Sequence, residues 1–233
     1  MKKERVQLFD EWPETYDRWF TTPIGSLVRK YETELILRLL DPKKGEVILD
    51  AGCGTGIFTL DILSSGSKVI GLDLSLPMLK EAEKKLKGYP MQLVLADMLK
   101  LPFPEGFFDK AISITALEFI EDGGAAVGEL FRVTKRGGLV VVATLNSLSP
   151  WALRRKVEAK GRNSIFEKAI FRSPEELRLL SPSASVVETA VHFQKGDDPE
   201  RAVEIEREGK GKHFNTGAFV AARWKKNSLS PAT

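Results

Sequence analysis

Apolar residues in this chain occur in two alternating kinds of run. Short, nearly continuous ones lie at Val47–Asp50, Lys68–Asp73, Gln92–Asp97, Phe108–Ile114 and Leu139–Leu145. Runs this short, bounded by turn residues, read as strands buried on both faces. Helix-period patterns separate them. Ile24, Leu27, Val28, Tyr31, Leu35, Leu39 and Leu40 mark a long amphipathic helix ending near Leu40. Phe58, Leu60, Ile62 and Leu63 mark a second, with Gly66 where a C-cap glycine belongs. Met78, Leu79, Ala82 and Leu86 mark a third, opened by Ser75 as cap and Pro77 in the first turn. A fourth, over about 124–134, turns Val127, Leu130 and Phe131 inward. Asp41-Pro42-Lys43-Lys44-Gly45, residues 101–106 and Lys135-Arg136-Gly137-Gly138 read as turns or loop. The strand–helix alternation predicts an α/β fold, a doubly wound and mostly parallel sheet covered on both faces.

The flanks depart from this alternation. Trp12, Tyr16, Trp19 and Phe20 fall at i, i+4, i+7 and i+8, one face of a helix within residues 1–23 that also hold Phe9. Such a face either docks on the core or forms a lid whose Tyr16 or Trp19 reaches a ligand. After Asn146 the pattern turns helical and amphipathic over 147–182, with Trp151, Leu153 and Val157, then Phe166, Ile170 and Phe171. A Ser173-Pro174-Glu175-Glu176 helix start with Leu177, Leu179 and Leu180 closes it. Val186–Phe193 and Ala218–Trp224 read as two late strands, and Pro199–Arg207 as a short helix in the charged segment between them. The expected organisation is one domain over 1–225, with an N-terminal lid (1–23), a helical insertion or substrate lid (147–182) and a disordered tail (226–233).

Composition narrows the class. A chain of 233 residues supports one sizeable α/β domain or at most two small ones. A net charge of +3 is too small to argue for a nucleic-acid partner. The lone Cys53 excludes an internal disulfide framework and fits a reducing compartment. No apolar stretch approaches the roughly 20 residues that span a membrane, and the charged start lacks the apolar core of a signal peptide. A cytoplasmic protein is expected.

Chemistry concentrates at the first strand–helix junction, Asp50-Ala51-Gly52-Cys53-Gly54-Thr55-Gly56. Alternate glycines allow a sharp turn and let a ligand approach the backbone, and the following helix N-terminus offers free amides. On its own such a glycine cluster is a weak signal. Three strands, however, end in acids, Asp50, Asp73 and Asp97, and ligands of doubly wound sheets bind at the carboxyl ends of strands. Asp73 lies about 20 residues beyond Gly52, where a ribose-binding acid is expected. The spacing is G-x-G-x-G rather than the dehydrogenase G-x-G-x-x-G. A carboxylate at Asp50 would repel a pyrophosphate but support an amino-bearing ligand.

These residues resemble the class I S-adenosylmethionine-dependent methyltransferases, in the small-molecule group related to the ubiquinone and menaquinone methyltransferases. Ile48 to Gly56 resembles that family's first motif, and Gly71-Leu72-Asp73-Leu74-Ser75 with Met78-Leu79 its second. Ala96-Asp97-Met98 with Leu101-Pro102-Phe103 resembles the third. Phe107-Phe108-Asp109, Arg132-Val133, Gly137-Gly138, Tyr16-Asp17 and Thr22-Pro23-Ile24-Gly25 fit as well. The likeness is good over about 9–145 and loose beyond. It implies a Rossmann-like seven-stranded sheet with an antiparallel last strand, and S-adenosylmethionine as cofactor with S-adenosylhomocysteine as product. It also implies a cofactor site made of Tyr16, Asp50, Gly52, Cys53, Gly54, Asp73, Leu74, Met78, Ala96, Asp97, Met98 and Thr115. Gly52 and Gly54 would lie under the amino-acid moiety with Asp50 near its amino group. Asp73 would hold the ribose hydroxyls, Leu74 and Met78 would flank the adenine, and Asp97 would accept from its amino group beside Met98. Thr115 would border the methionine part, with Leu117 and Phe119 near, and Tyr16 would close the site.

The implied reaction transfers a methyl group to a small-molecule acceptor, its nucleophilic atom unspecified, and proximity supplies most of the catalysis. No catalytic motif is obligatory for such a transfer and none is evident. His192, in an expected strand, and His213, in a charged loop, read as structural or surface residues. Glu118 either faces substrate or opens a helix. Cys53 reads as packing, and no His/Cys cluster has metal-ligand spacing. Arg154, Arg155, Lys156, Lys160 and Arg162 around Trp151 and Phe166 form either a solvated face or a lid for an acidic substrate. Gly209-Lys210-Gly211-Lys212-His213 reads as a mobile connection rather than an anion-contacting loop. Other readings are a non-catalytic cofactor-binding protein and a nicotinamide-dependent oxidoreductase. Nucleic acid is a distant option, because no aromatic-plus-basic stacking platform is present.

Overall fold

The structure, a computed structural model, describes residues 8–11, 13, 17–160, 165–183 and 185–227. Its centre is a seven-stranded sheet in the order β3-β2-β1-β4-β5-β7-β6. The strands are β1 (Val47–Ala51), β2 (Lys68–Asp73), β3 (Met91–Leu95), β4 (Phe108–Ile114), β5 (Thr134–Leu145), β6 (Ser185–Ala190) and β7 (Phe219–Lys225). β1 pairs in parallel with β2 and β4, β2 with β3, and β4 with β5. β7 runs antiparallel to both β5 and β6. The helices are α1 (Pro23–Leu40), α2 (Thr59–Leu63), α3 (Leu76–Lys85), α4 (Gly123–Val133), α5 (Pro150–Ala159), α6 (Pro174–Arg178) and α7 (Pro199–Gly211).

Neighbouring residues of each strand enter different cores, which is why the strands read as unbroken apolar runs. Ile48, Val69, Ile112 and Val141 pack with α1, α2 and α7 on one face. Leu49, Leu72, Ala111, Val140 and Val142 pack with α4 and α6 on the other. Helix α1 begins at Pro23 because Thr22 caps it, its hydroxyl accepting from Gly25 N at 3.1 Å. It stops at Asp41, which takes the left-handed conformation (φ 46°) and donates its N–H to Leu37 O.

Several elements depart from the sequence reading. In the aromatic segment before Thr22, where an amphipathic helix is expected, Pro13 is helical and Asp17–Thr21 form a 3-10 turn. Trp12 and Tyr16 lie outside the described residues. β5 starts at Thr134, so Lys135-Arg136-Gly137-Gly138 is a bulged strand start and not a turn. Gly137 N donates to Lys226 O (2.8 Å) and Lys226 N donates to Gly138 O (2.9 Å), so backbone hydrogen bonding continues one residue past β7 to Lys226, the first residue of the expected tail. Residues 228–233 lie outside the described residues. β3 stops at Leu95, leaving Asp97 in the loop beyond, and β6 stops at Ala190 because Val191 turns to φ 64°. The expected mobile connection at 209–211 is the end of α7. Gly209 is there because His192 presses on the helix: a Cβ would fall 2.3 Å from the imidazole Cγ.

Candidate functional site

The β1–α2 turn forms the floor of the site. Gly52, Gly54 and Gly56 all have positive φ (79°, 54° and 74°), but their surroundings differ. A Cβ on Gly52 would meet Ala116 Cβ at 2.4 Å, and one on Gly56 would meet Leu86 Cδ1 at 2.5 Å. A Cβ on Gly54 would meet no atom within 4 Å among the described residues, its chain neighbours aside. Gly54 is thus the glycine whose missing side chain leaves open space. Beside it, Asp73 at the end of β2 accepts from Gly54 N (2.8 Å) and Ser75 N (2.9 Å), which ties the first turn to the second.

These residues surround a cavity of about 260 Å3. Asp50, Gly52, Cys53, Gly54, Asp73, Leu74, Met78, Ala96, Asp97, Met98 and Thr115 all line it. The three strand-end acids therefore do converge, although Asp97 arrives from a loop and is exposed. Tyr16 lies outside the described residues. Asp50 is buried, and Thr59 Oγ1 donates to its Oδ2 at 2.6 Å while Oδ1 has no partner among the described residues. Burial, opposed by the Thr59 hydroxyl and reinforced by Asp73, raises its pKa to about 6. Burial likewise raises Asp73, against hydrogen bonds from the Ser75, Gly54 and Leu74 amides. Cys53 packs its sulfur onto β2, 2.9 Å from where a Gly71 Cβ would stand, and burial lifts its thiol well above the ordinary range. Its packing role follows, since a nucleophilic cysteine needs the opposite shift. Thr115 holds φ 48°, an uncommon conformation for a threonine, and donates its N–H to Ala143 O.

The N-terminal segment covers this cavity. Leu8 and Phe9 line it, and Phe9 meets Phe119 edge-on at 4.8 Å. Ser75 Oγ donates to Asp10 Oδ1 (2.7 Å), while Thr55 Oγ1 donates to Asp17 Oδ1 (2.7 Å) and Lys85 pairs with Asp17. A second cavity of about 470 Å3 adjoins the first, and Phe9, Phe58, Thr115 and Phe119 border both. Trp19, Phe20, Trp151 and Phe166 add aromatic walls, and Glu32, Glu118, Arg154, Arg155, Glu158 and Lys195 supply its charge. Glu118 is fully buried in the 3-10 turn Leu117–Phe119, where Thr144 Oγ1 donates to its Oε2 at 3.1 Å. Burial raises Glu118 to about 7 and Glu32 to about 8, with Arg155 drawing both down.

A family model described as "Methyltransferase domain" matches residues 49–142, which run from β1 into β5. An uncharacterized methyltransferase of Geobacillus sp. is 31% identical over 163 residues, covering 68% of this chain and 75% of that protein. The chain belongs to the class I S-adenosylmethionine-dependent methyltransferases. The demethylmenaquinone methyltransferase of Corynebacterium kroppenstedtii is 34% identical over 145 residues, 62% of this chain. The methyltransferase chain spans 61% of that relative's length. In fold it is similar to a Thermotoga maritima S-adenosylmethionine-dependent methyltransferase described as a possible histamine N-methyltransferase. The TM-score is 0.69 at 23% identity, covering 94% of this chain and 98% of that one. Family membership sets aside the nicotinamide-dependent reading.

The first cavity of this methyltransferase fits its family's cofactor chemically. Open space at Gly54 allows close approach to the backbone, the orphaned Asp50 oxygen suits an amino group, and the Asp73 carboxylate suits a diol. Sequence reasoning missed Glu32, although a signal for it exists. It stands four residues from both Val28 and Ile36, a carboxylate on the apolar stripe of α1. The sequence reading gives Ser75 as a helix cap and as the last residue of the second motif, not as a site residue, and Phe9 only as an aromatic of the N-terminal segment. Among the described residues no helix is long and apolar enough to cross a membrane, and no group of three or more His, Cys, Asp or Glu could hold a metal ion.

Proposed function

We propose that the protein transfers a methyl group from S-adenosylmethionine to a small-molecule acceptor, with the cofactor in the first cavity and the acceptor in the second. The observation that supports this most directly is the shared wall of Phe9, Phe58, Thr115 and Phe119, which brings the two chambers together. On this reading Asp73 holds the ribose hydroxyls and Asp97 accepts from the adenine amino group between Leu74, Met78 and Met98. Asp50 faces the amino group of the methionine moiety, above Gly52 and Gly54, and Ala96, Cys53 and Thr115 complete the wall. When bound, the cofactor supplies an electrophilic methyl group on a sulfonium.

The chain itself orients and encloses. Aromatic walls exclude water, and the Asp10–Ser75 and Asp17–Thr55–Lys85 contacts hold the cover against both glycine-turn and α3. The acceptors named in the relatives differ, demethylmenaquinone in one and possible histamine in another, so the acceptor has to be argued from this chain's second cavity. Titration with S-adenosylmethionine, S-adenosylhomocysteine and NADH tests the cofactor. Preference for NADH would refute the proposal. A metabolite screen reading S-adenosylhomocysteine release tests the transfer, and cofactor binding with no acceptor anywhere in the screen would favour a non-catalytic binding protein.

A further inference from the structure

We infer that the acceptor carries an anionic group and that Arg155 and Lys195 hold it in the second cavity. The inference deepens the proposed function and rests on the placement of S-adenosylmethionine in the first cavity. Cations and aromatic rings alternate along the second chamber. Lys195 Nζ lies 5.2 Å from the Trp19 ring centroid, and Trp19 meets Trp151 edge-on at 6.2 Å. Arg155 lies 5.2 Å from the Trp151 centroid and 5.3 Å from that of Phe166. Phe166 in turn stands 6.5 Å from Phe119, part of the wall between the chambers. A guanidinium lying over a ring keeps its N–H edge for an anion, and an ammonium over a ring keeps the donors that point away from it. Of the basic run on and after α5, Arg154 and Arg155 line this cavity, Lys156 and Lys160 are exposed, and Arg162 lies outside the described residues. Lys195 arrives from the segment between β6 and α7.

The charge balance of the chamber is positive. Arg154 is matched by Glu158 at 2.6 Å. Lys195 has no carboxylate within ion-pair distance among the described residues. The acids that follow it are engaged by backbone amides, Asp197 Oδ2 accepting from Gln194 N at 2.6 Å and Asp198 capping α7. The other two carboxyl groups of the lining, Glu32 and Glu118, are buried. Burial raises Glu32 to about 8 and Glu118 to about 7, even though Arg155 draws both down and Arg29 acts on Glu32 as well. At neutral pH Glu32 is mostly uncharged and Glu118 carries about half a charge. Arg155 and Lys195 therefore outweigh the carboxylates, and water-poor aromatic walls focus such a field on an incoming anion. An ammonium group would meet faces of Trp19, Trp151 and Phe166 that already hold cations.

Glu118 supplies a donor to the same ligand. Its Oε1 is buried and has no hydrogen-bond partner among the described residues, while Oε2 accepts from Thr144. Protonated, the carboxyl group donates its O–H to an anionic oxygen; ionised, it repels one. The groups facing Glu32 and Glu118 are Arg29 of α1, Arg155 of α5, Arg172 before α6 and Thr144 of β5, with each carboxyl group also facing the other. The sign of the pH dependence follows. An anion favours the protonated forms of both, so its binding takes up protons, and its affinity falls as pH rises through about 7 and then about 8.

The test uses 3-phenylpropionate, 2-phenylethanol and phenethylamine, one apolar body with an anionic, a neutral and a cationic head. Each is titrated by calorimetry into the S-adenosylhomocysteine-loaded protein. Near pH 6.5, where the acid is ionised and both carboxyl groups are mostly protonated, the acid is expected to bind at least tenfold tighter than the alcohol or the amine. Its affinity is expected to fall severalfold towards pH 8.5, with proton uptake visible in buffers of different ionisation enthalpy. Lys195→Gln, at an exposed position, is expected to weaken the acid at least threefold while leaving the alcohol and S-adenosylhomocysteine within about twofold. Arg155→Gln is expected to weaken the acid at least tenfold, and retained S-adenosylhomocysteine affinity shows that the variant folds. Glu118→Gln keeps a neutral donor, so it is expected to hold the acid near wild-type affinity at pH 6.5 and to flatten the fall with pH. Equal or tighter binding of the amine or alcohol would overturn the inference, and so would no detectable binding of the acid. An acid affinity that rises with pH, or an acid-to-alcohol preference unchanged in Lys195→Gln, would overturn it too. Failure of the wild-type chain to bind S-adenosylhomocysteine would refute the cofactor placement, and this inference with it.

Discussion

The glycine turn makes its sharpest prediction at Gly54. Alanine there keeps φ near 54°, a left-handed conformation that costs an L-residue about 1–2 kcal/mol. Among the described residues no atom beyond the chain neighbours lies within 4 Å of the added methyl, so they add no packing penalty. For a chain of this size the midpoint of thermal unfolding should fall by roughly 2–8 °C. The methyl projects from a residue lining the first cavity, so S-adenosylhomocysteine affinity should drop at least tenfold, about 1.4 kcal/mol. Gly56→Ala is the control. Its methyl would sit 2.5 Å from Leu86 Cδ1 and 3.4 Å from Ala82 Cβ, inside the core under α3. Overpacking of about 1–3 kcal/mol then adds to the backbone cost, while the affinity of the molecules that stay folded is kept. Differential scanning fluorimetry and calorimetric titration of both variants read the two quantities separately. A Gly54→Ala protein with wild-type affinity would refute the assignment of that open space to the cofactor.

Asp73→Ala should weaken S-adenosylmethionine binding more than tenfold, since it strands two ribose hydroxyls; unchanged affinity in a folded variant would mean that the ribose lies elsewhere. Asp50, raised by burial to about 6 from an ordinary 3.8, binds more protons folded than unfolded between those values. Ligand-free stability therefore loses up to about 1.4 kcal/mol per unit as pH rises through that window on account of this residue. Asp50→Asn should flatten the slope, and parallel stability–pH profiles for the two proteins would count against the raised value. For the same reason, placing a cationic amino group beside Asp50 should release protons near pH 6, measurable by titration in buffers of different ionisation enthalpy. Trp151 is buried and donates Nε1–H to Phe193 O at 2.6 Å. Trp151→Ala should cost about 3–5 kcal/mol in chemical denaturation, and a loss below about 1 kcal/mol would contradict its place as a pillar of the second cavity.

The sequence by itself determined the layering. Strands buried on both faces must be apolar throughout, so Val47–Asp50, Lys68–Asp73 and Phe108–Ile114 announced a covered parallel sheet. Ser75, Ser173 and Gly66 marked helix ends through local hydrogen bonds and backbone freedom, which need no distant partner. The acids at the ends of β1 and β2 and just past β3 could be assigned to one edge because a parallel sheet puts all strand ends of one polarity together. Periodicity misled where longer-range contacts decide. Within the aromatic spacing at 12–20, which suggests a helix, residues 17–21 form a 3-10 turn ahead of the Thr22–Pro23 cap that starts α1. The glycines at 137 and 138 suggested a turn, but pairing with Lys226 makes them part of a strand.

Only the tertiary structure distinguished the three glycines of the turn. Spacing made Gly52, Gly54 and Gly56 equivalent, yet two of them face Ala116 and Leu86 and one faces open space. It also assembled the second cavity, in which Glu32, Glu118 and Arg155 come from α1, from the turn after β4 and from α5. Local sequence records which residues are apolar and where the chain can bend. It does not record which side chains from distant segments will share one water-poor space, and that sharing is what raises two carboxylates toward neutral pH.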